Sequence, residues 1–567
     1  MATSSEPFLK TPKRKTFSFK SLYIFLALAA VVCSIAIVSI VFFHGSNNNS
    51  FLSIKSPNNC EHAADQSSCL AIVSEVITPY NSASAAKTNK VEILQMILHK
   101  TSSQIQETTT LIKNVRLRIN DKREQSALAI CLELMDMSRE KITDSMVALG
   151  KLTSTSSNSI YFDAHTWLSA VLTNHNTCMD ELHGQAQSIM KPILRDLISR
   201  ASASLALMVT LAPKKLDYDE LRVSLQGHFP SWVSRADREI LEANSEIVKI
   251  NANVVVAKDG SGKYKTVNEA IASAPVNSNS RYVIHIKKGT YKENVVIASN
   301  KKNIMLLGDG REDTVITGSL SYAGGTGTYD TPTVACNADG FIAQNINFQN
   351  SAGPQGHQAV ALRVTGDKSV INRCKIDAYQ DTLYAHNQRQ FYKDCYITGT
   401  VDFIFGNAAV VFQKCNIVAR KPMNGQQNML TAQGKTDKNQ NTGTSIQSCS
   451  ITPSKDLAPV KGSFKTFLGR PWKIYSTTVF MESYIDNHID PTGWAPWDGT
   501  LGLDTLYYGE YKNNGPGANT SKRVTWKGYH VITQASEAMK FTVSQMLQGG
   551  SWIKDAGVSF ISGLSSK

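Results

Sequence analysis

The sequence of 567 residues predicts two folded units of different class, an all-α four-helix bundle followed by an all-β parallel β-helix. Apolar residues recur at helical spacing between about residues 52 and 212, which predicts the bundle. Short β-branched runs with a repeated three-residue pattern continue to about residue 558, which predicts the β-helix. A composition of 42% hydrophobic and 19% charged residues is ordinary for a globular protein and excludes a disordered or fibrous chain.

The amino-terminal segment predicts a membrane signal-anchor. Residues 1–21 are basic, and residues 22–43 form an apolar run without a charge. Roughly 20 apolar residues span a bilayer, whereas the apolar part of a cleaved signal has about 7–15. The basic segment is expected to stay in the cytoplasm, so the rest of the chain enters the lumen of the secretory pathway. That location excludes a nucleic-acid partner and permits both disulfides and glycosylation, for which the sequons at Asn48 and Asn519 are candidates.

The bundle region contains no recognisable catalytic grouping. Its helical spacing is clearest in four stretches, at residues 91–98, 127–135, 167–172 and 198–209. Its four cysteines can form two disulfides, and they are Cys60, Cys69, Cys131 and Cys178. Residues 213–250 are charged and have no sustained period, which indicates a linker and a possible processing region. We therefore place the bundle at residues 52–212 and a catalytic domain at residues 251–558.

A repeated Cys-x-Ile pattern indicates a stacked solenoid. It begins at residues 374, 395, 415 and 449, so the first two steps are 21 and 20 residues and the last step of 34 fits one coil with an inserted loop. Residues one period apart lie about 4.8 Å from each other in the next coil. Cys374, Cys395 and Cys415 are therefore within disulfide reach, and the spacing leaves open which two pair.

The same arithmetic brings two carboxylates together. Asp381 and Asp402 are 21 residues apart, and Gln358 precedes Gln380 by 22, so all four are expected on one face of neighbouring coils. Two carboxylates this close cannot both ionise easily, which gives one proton donor and one nucleophile or base. Amide side chains beside them supply the donors that an oxyanion requires.

Two reactions fit this arrangement, ester hydrolysis by an aspartate nucleophile and cleavage of a glycosidic bond. The sequence contains no G-x-S-x-G, no P-loop and no dinucleotide fingerprint, so a serine hydrolase and a nucleotide cofactor are disfavoured. No Cys/His spacing suggests a metal. Arg470 and Trp472 follow in one short segment, where an arginine can hold a carboxylate and a tryptophan can stack on a sugar.

Both regions resemble known plant families. The bundle resembles plant invertase and pectin-methylesterase inhibitors, through its two cysteine pairs and residues 164–170 (AHTWLSA). That resemblance implies the disulfides Cys60–Cys69 and Cys131–Cys178. The β-helical region resembles plant pectin methylesterases (pectinesterases) through residues 289–293 (GTYKE), 357–362 (HQAVAL), 379–384 (YQDTLY), 399–408 (GTVDFIFGNA) and 468–472 (LGRPW). It implies a right-handed parallel β-helix that hydrolyses the methyl esters of homogalacturonan.

The resemblance also implies residue roles. Asp402 would be the nucleophile, Asp381 the proton donor, and Gln380 the group that stabilises the transition state. Substrate would be bound by Thr328, Gln358, Arg470 and Trp472. A disulfide Cys395–Cys415 would join the coils that carry the acids, and neither a cofactor nor a metal would be needed.

The fusion predicts a regulated secretory precursor. The bundle would inhibit or chaperone the esterase within the chain, and a subtilisin-like protease would process the linker. The protein would pass through the Golgi as a membrane-anchored precursor and be secreted to the cell wall, where it modifies pectin. The alternatives are a glycosidic enzyme of the pectate lyase or polygalacturonase kind on a similar β-helix, and a non-enzymatic regulator in which the solenoid only binds pectin.

Overall fold

The computed structural model describes residues 60–78, 89–152, 158–213 and 252–565. The predicted signal-anchor, the sequon at Asn48 and almost all of the predicted linker lie outside these ranges. None of the helices within them is long and apolar enough to cross a membrane.

The first part is an antiparallel helical bundle with four long helices and one shorter helix before them. The shorter helix is α1 (Gln66–Ile77), and the long helices are α2 (Lys90–Arg118), α3 (Lys122–Gly150), α4 (Asn158–Glu181) and α5 (Gly184–Thr210). Asn89 and Asp121 begin α2 and α3, where their side chains accept hydrogen bonds from the backbone N–H groups of Glu92 and Glu124. The disulfides Cys60–Cys69 and Cys131–Cys178 are both formed, as the resemblance implied.

The second part is a parallel β-helix, which confirms the predicted fold class. Its strands form three parallel sheets. Sheet A contains β1 (Val254–Val256), β2 (Tyr282–Ile286), β5 (Ile304–Gly308), β8 (Ile342–Gln344), β11 (Ser369–Asn372), β14 (Arg389–Lys393), β17 (Ala409–Gln413), β20 (Gly443–Gln447), β23 (Thr477–Met481), β25 (Tyr507–Tyr511) and β26 (Tyr529–Val531). Sheet B contains β3 (Gly289–Lys292), β6 (Thr314–Gly318), β9 (Asn347–Asn350), β12 (Lys375–Asp377), β15 (Tyr396–Gly399), β18 (Asn416–Ala419), β21 (Ser450–Pro453) and β24 (Tyr484–Ile485). Sheet C contains β4 (Val295–Ile297), β7 (Val334–Cys336), β10 (Leu362–Val364), β13 (Leu383–Ala385), β16 (Ile404–Gly406), β19 (Asn428–Gln433) and β22 (Thr466–Gly469).

Short helices accompany the solenoid. A capping box at Thr266 begins α6 (Val267–Ser273), where the Thr266 and Glu269 side chains satisfy each other's backbone N–H groups. Two further helices, α7 (Ala535–Met539) and α8 (Val543–Met546), follow the last strand. Short 3₁₀ helices occupy Thr328–Asp330, Pro354–Gly356, Ala458–Ser463 and Gly549–Ser551.

The repeated pattern stacks in register. The isoleucines of all four Cys-x-Ile copies are paired across sheet B in the order Ile376, Ile397, Ile417, Ile451. The residues three positions before each cysteine pair in the same way across sheet A, and the rings of Tyr392 and Phe412 stack with centroids 4.7 Å apart. The hydrophobic core inside the coils is built from residues of the solenoid alone.

The predicted disulfide Cys395–Cys415 is wrong for this structure, because both thiols are free and buried. The Sγ of Cys395 donates to the carbonyl oxygens of Lys393 and Ile371 at 3.3 and 3.4 Å. Cys415 makes the equivalent bonds one coil further on. The two thiols thus point into the core and are satisfied by backbone carbonyls. The period correctly placed the cysteines on neighbouring coils but did not determine the partner of each sulfur atom.

Candidate active site

The two predicted catalytic aspartates lie on adjacent coils at one angular position. Each sits just before a strand of sheet C, Asp381 before β13 and Asp402 before β16. Both have left-handed backbone geometry, with φ of 61° and 50°, which aspartate tolerates better than most residues. The backbone N–H of Asp381 donates to the carbonyl of Val401 at 3.0 Å, which fixes the spacing of the two coils. The sequence spacing therefore placed these acids correctly.

Arg470 binds Asp402 with both arms of its guanidinium. Its Nε donates to Oδ1 at 2.8 Å and its NH2 group to Oδ2 at 2.6 Å. Arg470 follows β22, which is two strands from β16 in sheet C, so it reaches the acid from further along the stack. The indole of Trp497 covers the other side of this guanidinium, with 4.3 Å between the guanidinium carbon and the ring centroid. Such bidentate pairs fix both the charge and the orientation of a carboxylate.

The surroundings of the two acids shift their pKa values to different extents. Burial raises the pKa of Asp381 well above its usual value, and the neighbouring negative charge of Asp402 raises it further. Burial also raises the pKa of Asp402, but the hydrogen bonds and positive charge of Arg470 counteract that rise. Of the two carboxyl groups, Asp381 is therefore the one that holds a proton more strongly, and Asp402 is the one that ionises first.

The two predicted amide residues stack beside the acids. Gln358 and Gln380 are paired as an isolated parallel bridge, and the backbone N–H of Ala359 donates to the carbonyl of Gln380 at 3.2 Å. Gln380 directly precedes Asp381 in the chain and is half-buried. An amide side chain can donate hydrogen bonds to a developing oxyanion.

An aromatic row continues the site along sheet C. Tyr384 and Phe405 are in register, with stacked rings 4.2 Å apart, and Trp472 contacts Phe405 edge-on at 6.1 Å. Sequence reasoning predicted Trp472 but missed the other two and Trp497. Tyr384 and Phe405 are 21 residues apart, the same step that revealed Asp381 and Asp402, so the repeat could have found them.

Thr328 begins a 3₁₀ turn, Thr328–Asp330, that lies before β7. The next residue, Tyr329, is fully buried, and its backbone N–H donates to Glu181 of the bundle at 3.1 Å. The structure thus brings Asp381, Asp402 and Arg470 into one cluster, with the two glutamines beside them. It shows no contact between that cluster and Thr328 in the described part of the chain.

The bundle packs on the outward face of sheet C. The hydroxyl of Thr177 shares a hydrogen bond of 2.9 Å with the Nε2 atom of His386, and Asp180 forms an ion pair of 2.8 Å with Lys473. Only a cavity of about 10 Å³ remains where α4 meets Tyr384 and Trp472. A pyranose ring cannot enter a space of that size.

The loop between β19 and β20 is a second contact with the bundle. His165 bonds the carbonyl oxygen of Asn439 at 2.7 Å, and the Gln440 amide donates to the Ser169 carbonyl and the Thr173 hydroxyl at 3.0 and 3.1 Å. This loop is part of the 34-residue step in the repeat. In the described ranges no group of three or more His, Cys, Asp or Glu side chains is arranged to hold a metal ion.

Comparison with known proteins agrees with this geometry. Residues 253–550 match the family model described as pectinesterase, and residues 57–209 match that of plant invertase/pectin methylesterase inhibitors. The chain belongs to the pectinesterase family. It is 52% identical to pectinesterase/pectinesterase inhibitor 18 of Arabidopsis thaliana, an alignment that covers 99% of each chain. It is 53% identical to pectinesterase 2.1 of Solanum lycopersicum, over 90% of this chain and 91% of that one.

A solved structure supports the family assignment of the β-helical part of the chain. A pectin methylesterase from carrot is 58% identical, with a TM-score of 0.56, and its whole chain covers 56% of this pectinesterase. The extra length of this pectinesterase includes the inhibitor-like bundle that covers sheet C.

Proposed function

We propose that this pectinesterase hydrolyses the methyl esters of cell-wall homogalacturonan to pectate and methanol, with Asp402 as the nucleophile. The observation that carries the proposal is the cluster of Asp381, Asp402 and Arg470. Burial favours the protonated form of Asp381, whereas the bidentate arginine favours the ionised form of Asp402. A nucleophile and a proton donor are thus prepared side by side before substrate binds.

In the first step an oxygen of Asp402 attacks the ester carbonyl carbon. The tetrahedral oxyanion is stabilised by the Gln380 amide, with Gln358 contributing from the coil before it. When the bond to the methoxy group breaks, Asp381 transfers its proton to the departing oxygen, and methanol leaves. The galacturonyl group is then attached to Asp402 as a mixed anhydride.

In the second step water releases the product. Asp381, now ionised, takes a proton from the water while the water oxygen attacks the galacturonyl carbonyl. The bond to Asp402 breaks, and its carboxylate returns to Arg470. Trp472, Tyr384 and Phe405 offer apolar faces on which sugar rings can stack, and Thr328 would bind the substrate from the edge of the cleft.

The experiment that tests this function measures methanol and chain length together. Residues 252–567 are suited to it, because the solenoid core is closed without the bundle and the carrot relative is a chain of about that size. On highly methyl-esterified polygalacturonate we expect methanol with chains of unchanged length. Shortened chains without methanol would indicate glycosidic chemistry, and neither product would indicate a regulator without catalytic activity.

We also propose that the bundle inhibits the esterase within the same chain. Its support is the position of α4 on the aromatic row, where Thr177, Asp180 and Glu181 contact residues of the solenoid that line the cleft. Cleavage in the region 213–250, by a subtilisin-like protease, would allow the bundle to leave. The precursor would remain anchored in Golgi membranes by residues 22–43 until then, and the mature enzyme would act in the cell wall.

Docking of the bundle should weaken as the pH rises. Burial raises the pKa of Glu181 to about 7, and the nearby charges of Asp330 and Asp180 add to this effect, whereas Arg363 opposes it. The docked state therefore holds a proton that the free bundle releases above its ordinary pKa of 4.5. Between about pH 4.5 and pH 7 the affinity should fall by on the order of tenfold or more, and should change little above that.

The measurement is methanol release by the proteolytically nicked full chain as a function of pH, compared with residues 252–567 alone. Glu181→Gln should reduce the pH dependence of inhibition. Equal pH dependence in the variant and the unmodified chain would contradict this role for Glu181.

Asn519 is proposed as a glycosylation site. Its side chain is exposed, in a turn where its Oδ1 accepts a hydrogen bond from the backbone N–H of Ser521. The protein secreted from plant cells should lose the mass of one glycan in Asn519→Gln, as intact-mass spectrometry would show. An unchanged mass would contradict the assignment.

A further inference from the structure

One carboxylate of the bundle is held by three groups of the solenoid. The Oε1 atom of Glu133, on α3, accepts hydrogen bonds from the Asn337 amide at 2.7 Å and from the Tyr329 hydroxyl at 3.3 Å. The NH2 group of Arg363 lies 3.9 Å from the same oxygen. A cation and two neutral donors thus converge on one negative oxygen, and we call Tyr329, Asn337 and Arg363 the carboxylate cradle.

Contacts within the solenoid orient the donor groups of this cradle. Arg363 donates from NH1 to the Oδ1 of Asn337 at 3.0 Å, so the amide must present its NH2 group outward. The same NH1 donates to the hydroxyl of Thr365 at 3.2 Å, and the guanidinium stacks 3.5 Å from the ring centroid of Tyr329. With the bundle docked Arg363 is only 3% exposed, and its Nε has no hydrogen-bond partner among the residues that the structure describes. The donors are therefore oriented in advance, and such preorganisation favours a bound anion.

The cradle lies in line with the catalytic cluster. Arg363 pairs with Tyr384 in the next strand of sheet C, and Tyr384 pairs with Phe405. Asn337 directly follows β7, one strand further along the sheet. Successive strands are about 4.8 Å apart, so the cradle is roughly 5–10 Å from the aromatic row along the solenoid axis. A polymer lying across sheet C would reach both.

We propose that in the uncovered enzyme the cradle binds the carboxylate of a galacturonate residue that has already lost its methyl ester. Glu133 occupies that place when the bundle is docked. This inference rests on the proposed function, because it takes the substrate and the product to be one polyuronate chain. The enzyme would then favour esters close to residues that it has already demethylated.

The chemistry of the cradle separates an acid from its ester. A carboxylate can accept both hydrogen bonds and forms an ion pair with Arg363, whereas a methyl ester has no charge and one good acceptor. The bundle provides a second example at the other end of sheet C, where Asp180 pairs with Lys473 beside Trp472. Carboxylates of the bundle thus lie on donors of the solenoid at both ends of the proposed polymer path.

The test uses residues 252–567, which the structure and the carrot relative indicate can fold alone. Asn337→Asp replaces a donor with a negative charge, and Asn279→Asp, in the exposed loop before β2, is the matched control with the same change in charge. Binding of two probes, an unesterified and a fully methyl-esterified oligogalacturonide, is measured by calorimetry. Methanol release is measured separately on sparsely and on fully esterified pectin.

We expect Asn337→Asp to weaken binding of the unesterified oligomer by tenfold or more and to raise KM for sparsely esterified pectin more than for fully esterified pectin. Asn279→Asp should bind as the unmodified protein does. Tyr329→Phe, which removes a single donor and keeps the ring, should weaken binding several-fold and guards against a folding defect in the first variant. In the full chain Asn337→Asp should also increase methanol release, because it repels Glu133.

Equal binding of the unesterified oligomer by Tyr329→Phe, Asn337→Asp and the control would overturn the cradle while leaving the esterase intact. Absence of methanol release from the unmodified protein would instead contradict the proposed function, and with it the ligand assigned to the cradle.

Discussion

Asp402→Ala should reduce methanol release by residues 252–567 by roughly three orders of magnitude or more, because it removes the group that forms the covalent bond. Binding of pectin should change far less, since Trp472 and the aromatic row remain. The measurement is the steady-state rate of methanol release together with the affinity for an esterified oligogalacturonide. Asp377→Ala is a matched control, since Asp377 is an aspartate of sheet B on the coil of Asp381, where it pairs with Arg420.

The reason for so large an effect is the state of the two acids. Arg470 favours the ionised form of Asp402, whereas burial and the charge of Asp402 favour the protonated form of Asp381, so we expect neither acid to take over the role of the other. A variant that retained a tenth of the activity would show that Asp402 is not the nucleophile.

Displacing the bundle should increase the activity of the full chain by at least an order of magnitude. Thr177→Lys puts a long cation at a position that is 5% exposed and in contact with His386, so α4 can no longer seat on sheet C. The control is Thr143→Lys, because Thr143 is exposed on α3. Methanol release on highly esterified pectin is measured for both variants and for the unmodified full chain.

We expect the rate of methanol release by Thr177→Lys to approach that of residues 252–567. The rate of Thr143→Lys should remain as low as that of the unmodified full chain. A full chain that is already as active as residues 252–567 would refute inhibition by the bundle.

The sequence predicted those features that a period can encode. The stacked isoleucines, the adjacent aspartates and the paired glutamines all follow from a step of about 21 residues, because parallel coils repeat the same angular position. The role of Arg470 could be named from its motif, but its bond to Asp402 spans 68 residues and two coils, one of them with an inserted loop. No spacing rule extends over that distance.

Features that depend on side-chain direction or on the docking of the bundle could not be predicted from the sequence. The predicted bridge Cys395–Cys415 is absent, because both thiols are free although their residues lie on neighbouring coils. The packing of α4 against sheet C could not be predicted either. Helical periodicity identifies the apolar face of a helix, but it does not identify the surface against which that face packs. His165 and Thr177 looked like ordinary helix residues, and they become interface residues only in the folded chain.

The central claim, that Asp402 becomes covalently attached to the substrate, can be tested by trapping. In Asp381→Asn, residues 252–567 lack the proton donor and the base, so a galacturonate nitrophenyl ester, whose leaving group needs no proton, should acylate the enzyme and then hydrolyse slowly. Mass spectrometry of the digested protein should find one galacturonyl group on the peptide that contains Asp402. Release of nitrophenol with no adduct on that peptide would contradict the account.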